Sequence, residues 1–173
     1  KYILIIFIFT TFPLYSCDTS PKVQDEIDIA KLVKQGNLYL DQGRYAEAEQ
    51  LYQRSLAIFE KAFGPEHPDV ALVLTNLASL YDKQGRYAEA EPLFKRSLAI
   101  FEKVFGPEQG IVSKILNNLA SLSVNQGRYS EAEPLFKRSL VIREKASGPE
   151  HPSVGKILNN LAYLYEYQGR YSE

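Results

Sequence analysis

Apolar residues recur at helical spacing along most of the chain. Val112, Ile115, Leu116, Leu119 and Ala120 stand at offsets 0, 3, 4, 7 and 8, which is one buried stripe of an amphipathic helix. A second kind of stretch carries Tyr87, Ala90, Leu93, Phe94, Leu98 and Phe101 at the same spacing. The two kinds alternate, so the pattern predicts helix pairs, a helix A followed by a helix B. Helices A are expected over Ile27–Asp41, Val70–Lys83, Val112–Asn125 and Val154–Tyr167. Gly85 follows the end of one helix A, where a left-handed residue is wanted and glycine has no Cβ to clash. Gly64-Pro65-Glu66-His67-Pro68 closes a helix B and places Pro68 at the first position of the next helix, where its missing N–H costs nothing. Connections this short force neighbouring helices antiparallel.

The pairs are copies of one another. Gln84–Glu108 reads QGRYAEAEPLFKRSLAIFEKVFGPE and returns as Gln126–Glu150, with only positions 88, 99, 101, 104 and 105 changed. Copies also start at Gln42 and Gln168, a fixed period of 42 residues. A period in this range means stacked supersecondary units, here 26–67, 68–109, 110–151 and a partial 152–173. Each unit buries its faces on its neighbours, so stability is a sum of unit and interface terms rather than the property of one centre.

The pattern NLAxLY, QGRYxEAE, RSL and GPEHP resembles tetratricopeptide repeats of the long kind found in kinesin light chains and their bacterial relatives. Ala78, Ala90 and Ser97 match the family's small positions, and Leu77, Tyr81 and Phe94 its large ones. The first unit departs, with Gly36 at the place of Ala78 and Gln35 at that of Leu77. The resemblance implies an all-α fold, a right-handed α-solenoid of antiparallel helix pairs whose helices A line a concave groove.

Composition narrows the function. With 20 basic and 21 acidic side chains the net charge is −1, which gives no electrostatic case for nucleic-acid binding. No glycine-rich phosphate loop, His-Glu-x-x-His or cysteine pair is present, so neither catalysis nor a cofactor is expected. His67 and His151 sit at equivalent turns two units apart with Gln109 between them; they are expected as polar surface residues rather than metal ligands. Glu89, Glu91, Lys95 and Arg96 are expected on a solvated face, and Pro92 and Pro134 to bend their helices locally.

The candidate site lies on helix A, on the stripe that in the family contacts ligands. It runs Lys114, Asn117, Asn118 and Ser121 in the third unit and Lys156, Asn159, Asn160 and Tyr163 in the fourth. The second unit has Leu72, Thr75, Asn76 and Ser79; the first has Ala30, Val33, Lys34 and Asn37. An amide offers donor and acceptor to an extended backbone whatever its side chains, and a lysine supplies a point charge for a carboxylate. The expected ligand is therefore an extended, acidic peptide, held along its backbone by Asn76, Asn118 and Asn160 and by charge at Lys114 and Lys156. The competing reading is that the asparagines bond between adjacent helices and hold the stack together.

Residues 1–17, KYILIIFIFTTFPLYSC, read as a secretory signal with a basic start and an apolar core too short for a span of ~20 residues. Leu14-Tyr15-Ser16-Cys17 resembles a bacterial lipobox, which implies acylation of Cys17, the sole cysteine, and tethering to a membrane in the cell envelope, facing the periplasm or the exterior. The competing reading is an uncleaved signal anchor or a fragment of a membrane helix whose beginning is missing. Residues 18–25 read as a polar tether. The lack of methionine and an end inside a fourth helix B point to a piece of a longer protein. The expected function is a protein-interaction scaffold. Two alternatives are a sensor or adaptor segment of a larger enzyme, a protease or kinase with its catalytic domain past Glu173, and a solenoid that self-associates.

Overall fold

A computed structural model describes residues 21–170; the expected leader, with Cys17, lies outside them. Seven helices follow one another: α1 (Pro21–Asp41), α2 (Tyr45–Phe63), α3 (Pro68–Lys83), α4 (Tyr87–Phe105), α5 (Gly110–Asn125), α6 (Tyr129–Ser147) and α7 (Pro152–Tyr167). The fold is an all-α solenoid. Helix α1 starts at Pro21 rather than Ile27, so residues 21–25 are helical and not an extended tether. Proline's fixed φ suits a first helical position, and Lys22, Gln24 and Glu26 are good helix formers. No helix among the described residues is long and apolar enough to cross a membrane.

The turns work as their residues require. Gly85 takes φ +73°, and Arg86 N–H bonds back to the Tyr81 carbonyl at 2.8 Å. Gly64 takes φ +89° and ψ 161°, a conformation open essentially to glycine alone. The histidines do more than face solvent. His67 Nδ1 accepts from Asp69 N–H at 3.3 Å and His151 Nδ1 from Ser153 N–H at 3.2 Å, so each caps the helix that its turn begins. Gln109 makes no such side-chain cap. Helices α4 and α6 run unbroken through Pro92 and Pro134, both on the exposed side.

Inside the second and third units the two helices meet through small residues, whereas the equivalent Ser55 donates to the Leu51 carbonyl of its own helix. Ser97 and Ser139 are fully buried. Ser97 Oγ donates to the Ala71 carbonyl at 2.7 Å, and Ser139 Oγ to the Ser113 carbonyl at 2.7 Å. Leu98, on the expected core stripe, is only half-buried, because serine holds the crossing. Tyr52, Phe94 and Phe136 stand at equivalent places and are all buried. The first differs for a reason: its hydroxyl donates to Asn37 Oδ1 at 2.7 Å, and its ring lies so near Gly36 that a Cβ there would stand 2.7 Å from the ring edge. Units two and three pair phenylalanine with Ala78 and Ala120 instead. Burial pushes the Tyr52 hydroxyl up to about 12, with Asp41 adding to the rise.

The stack curves because its two sides are spaced differently. Successive helices A, α1 with α3, α3 with α5 and α5 with α7, have Cα atoms within 8 Å, whereas α2 and α4, or α4 and α6, have none. The A side is therefore concave. Long charged side chains bridge the wider B side. Arg96 reaches Glu60 at 2.7 Å and Arg138 reaches Glu102 at 2.5 Å; the arginine of each QGRY after the first meets a glutamate of the preceding unit, Arg86 with Glu49 at 2.8 Å, Arg128 with Glu91 at 2.6 Å and Arg170 with Glu133 at 2.7 Å. Glu91 and Arg96 thus hold neighbouring units together rather than face solvent alone, and Glu91 also keeps its i,i+4 partner Lys95 at 2.6 Å. Arg86 lies over the Tyr81 ring at 3.9 Å; Ser123 stands there in the third unit and offers Arg128 no ring.

Two outcomes follow from this packing. Gly36→Ala should lower the unfolding free energy by about 1–3 kcal/mol with Tyr52 present. It should lower it by less than about 1 kcal/mol in a Tyr52→Phe background, where the ring is released from Asn37 to shift as Phe94 does; urea denaturation of the double-mutant cycle measures both. The second concerns acid. Arg170 and then Lys137 hold the Glu133 carboxyl down to about 2 from its ordinary 4.5. A carboxyl depressed in the folded state contributes stability that is complete above about pH 4.5 and is lost as pH falls through about 2. Glu133→Gln should therefore lose less stability than the unaltered chain between those pH values in urea titrations.

Candidate functional site

The sequence of helix A decides which side chains reach the concave face. Val112, Ile115, Leu116 and Leu119 are buried against the helices B, which turns the stripe between them toward the groove. Lys114 and Lys156 are exposed. Among the described residues neither takes part in an ion pair or hydrogen bond. Asn76, Asn118 and Ser121 are half-buried, Asn159 is exposed, and Tyr163 is 54% exposed. Thr75 shares the stripe but is 2% exposed; its hydroxyl donates to the Ala71 carbonyl at 2.9 Å and lies 2.7 Å from Ser97 Oγ, so it belongs to the helix crossing and not to the groove.

Some of the asparagines do bond between helices. Asn160 Nδ2 donates to Asn117 Oδ1 at 3.0 Å, joining α7 to α5. Asn125 Nδ2 likewise donates to Asp82 Oδ1 at 3.3 Å, joining α5 to α3. Burial pushes the Asp82 carboxyl up, and the Asn125 hydrogen bond opposes that rise. An amide has two donors and an acceptor with two lone pairs, so one such bond leaves Asn117 and Asn160 with capacity for a ligand. Asn76 and Asn118 have no side-chain partner among the described residues.

Two clefts open on this face. One of about 420 Å³ between α1 and α3 is lined by Ala30, Val33, Lys34, Asn37, Phe59, Asp69, Leu72 and Val73. The other, about 270 Å³ between α5 and α7, gathers Ser121, Asn160 and Tyr163 with Val124, Asn125, Phe136 and Tyr167. Asn76, Lys114, Asn117, Asn118, Lys156 and Asn159 lie outside both. Tyr167 was not among the expected site residues; its ring stacks on Tyr129 with centroids 5.8 Å apart and planes 4° off parallel. Its i,i+4 spacing from Tyr163 is the sequence signal that could have found it. The apolar lining of the first cleft by Phe59 and Leu72 comes from two units, so no single helical stripe displays it.

The comparisons with known proteins agree with this geometry. A family model described as the tetratricopeptide repeat matches residues 28–103 and 111–173. The fold is similar to that of BtubC (BKLC) from P. vanneervenii, with TM-score 0.78 and 23% identity over 85% of this chain. This chain spans 59% of that protein's length, and at that identity the likeness shows the fold. A putative kinesin light chain from Podosopora anserina with nearly identical TPR-like repeats gives TM-score 0.75 and 26% identity, covering 88% of this chain and 70% of that one. The N-terminal domain of stress-induced protein-1 from C. elegans gives TM-score 0.59 at 14% identity over 81% and 96%. No curated protein sequence matches. Matched by the family model over most of its length, and built of stacked antiparallel helix pairs, the chain belongs to the tetratricopeptide repeat family, whose fold is typical of protein–protein interaction scaffolds.

Proposed function

We propose that the concave face holds an extended peptide of acidic character, and that the chain is a scaffold tethered to a bacterial membrane. Supporting the first part is a single observation. The half-buried amides of Asn76 and Asn118 stand on consecutive helices A with no side-chain partner among the described residues, beside the unpaired cations Lys114 and Lys156. A polar group that is partly desolvated and unbonded within the protein gains most from a ligand's peptide groups. Repeated from unit to unit, such amides suit a backbone in extended conformation, whose carbonyl and N–H groups recur along its length. Tetratricopeptide solenoids are generally non-catalytic, in keeping with a binding role. The tether rests on the lipobox-like Leu14-Tyr15-Ser16-Cys17, where a thioether-linked diacylglycerol and a further acyl chain would make a stable anchor at ~0.8 kcal/mol for each buried methylene.

Peptides selected on the unaltered chain from a random pool should bind the Asn76→Ala/Asn118→Ala variant roughly tenfold more weakly, at about 0.5–1.5 kcal/mol for each lost hydrogen bond. The melting temperature should stay unchanged. A fall in melting temperature with affinity retained would mean that the amides only hold the stack. Intact-mass spectrometry of the protein from its native host should find a mature chain starting at acylated Cys17; a chain that still carries residues 1–16 without acyl groups removes the tether.

A further inference from the structure

The turn before α3 returns two 42-residue periods later, before α7. In both turns a histidine caps the helix through Nδ1, which lies 3.3 Å from the Asp69 N–H nitrogen in one and 3.2 Å from that of Ser153 in the other. An Nδ1 that accepts a hydrogen bond carries no proton. Protonation makes it a donor, and the first-turn N–H loses its acceptor. The new positive charge also sits at a helix N-terminus, where the aligned peptide dipoles are already positive.

The two copies meet that charge differently. The Asp69 carboxylate stands 3.5 Å from His67 Nδ1, and the Phe63 ring stacks on the imidazole with centroids 4.8 Å apart. Both groups favour an imidazolium, the first by ion pairing and the second through its π face. At the equivalent places the later copy has Ser153 and Ser147. The Ser153 hydroxyl lies 2.7 Å from His151 Nδ1, so it can accept from the protonated ring but brings no charge. Among the described residues no carboxylate pairs with His151. Glu66 and Glu150 precede the two histidines alike, and Glu66 is taken by Lys103 at 2.5 Å. Before α5 stands Gln109, which neither caps the helix nor titrates.

We propose that the start of α7 is an acid-sensitive switch built on His151, and that Asp69 and Phe63 protect α3 from the same change. The cap contributes while the imidazole is neutral, and its contribution is lost as pH falls through the range of roughly 8 to 5 in which histidine takes up its proton. One cap is a small share of what holds α7, so acid opens this helix locally and leaves the rest of the stack folded. Helix α7 brings Asn160 and Tyr163 to the cleft between α5 and α7. Resting on the peptide-binding reading above for this consequence alone, acid therefore loosens that end of the groove on its ligand.

Amide hydrogen exchange of the full chain without any peptide, followed by NMR and corrected for the intrinsic effect of pH, reads the switch directly. Protection of amides 156–159 in α7 should fall about fivefold from about pH 7.5 to about pH 5.5, in line with the loss of one cap. The matching amides 72–75 in α3 should keep theirs. His151→Asn, a cap that does not titrate, should hold α7 constant over the same interval. Ser153→Asp, which copies Asp69, should do the same, and Asp69→Ser should make α3 respond to acid. If one of the two α7 variants fails to fold, the other decides. Constant protection of α7 in the unaltered chain, or a fall that persists in the variant that folds, overturns the switch. A fall that the variants abolish, in a chain that binds no peptide at either pH, supports the switch and overturns only the groove reading.

Discussion

Everything in this stack depends on how closely two helices can approach at their crossing. The Ser97 and Ser139 hydroxyls reach the facing backbone carbonyl directly, at 2.7 Å in each case, and that distance is possible only where no larger side chain intervenes. Close crossing inside a unit lets the next helix A pack on the previous one, and so places all helices A on one side. The helices B are then left too far apart for their Cα atoms to come within 8 Å, and arginine–glutamate pairs span the gap. The concave face is the geometric result of small residues within units and long ones between them.

The alternation of helices A and B is legible in the sequence because the repeat states the same pattern several times and glycine marks each turn. Less legible was anything that depends on two units at once. Glu91 and Arg96 look like solvent-facing charges on a single helix, and their partners Arg128 and Glu60 are visible only when units are stacked. Thr75 sits on the ligand stripe by spacing, yet its hydroxyl is drawn into the Ser97 contact of its own unit. The asparagines divide likewise: Asn117 and Asn160 bond each other across helices, while Asn76 and Asn118 have no side-chain partner among the described residues. Residues 21–25 are polar enough to look like a tether, but Lys22 and Gln24 are also good helix formers, and α1 begins at Pro21.

The small irregularities of the repeat show how one helix geometry admits different side chains. Gly36 with Tyr52 and Gly110 with Arg143 each combine a large side chain with the loss of an obstacle to it. The first exchange is internal, because Asn37 satisfies the added hydroxyl. Among the described residues the second has the Gly110 carbonyl as its hydrogen-bond partner, and Nε has none. A frame shared by all units therefore allows local chemistry to differ from one end of the groove to the other without any change in helix geometry.

The ion pairs that join units have a further consequence. Their partners lie 37 residues apart at Glu49 and Arg86, at Glu91 and Arg128 and at Glu133 and Arg170, and 36 apart at Glu60 and Arg96 and at Glu102 and Arg138. Excision or duplication of any whole 42-residue block returns each acid to a base at the same separation. Unequal recombination between the near-identical segments can thus lengthen or shorten the solenoid in whole steps, with no intermediate that carries unmatched charges at a junction. Groove length is in this way a quantity that evolution can alter by copying alone, leaving the chemistry of each segment to diverge afterwards.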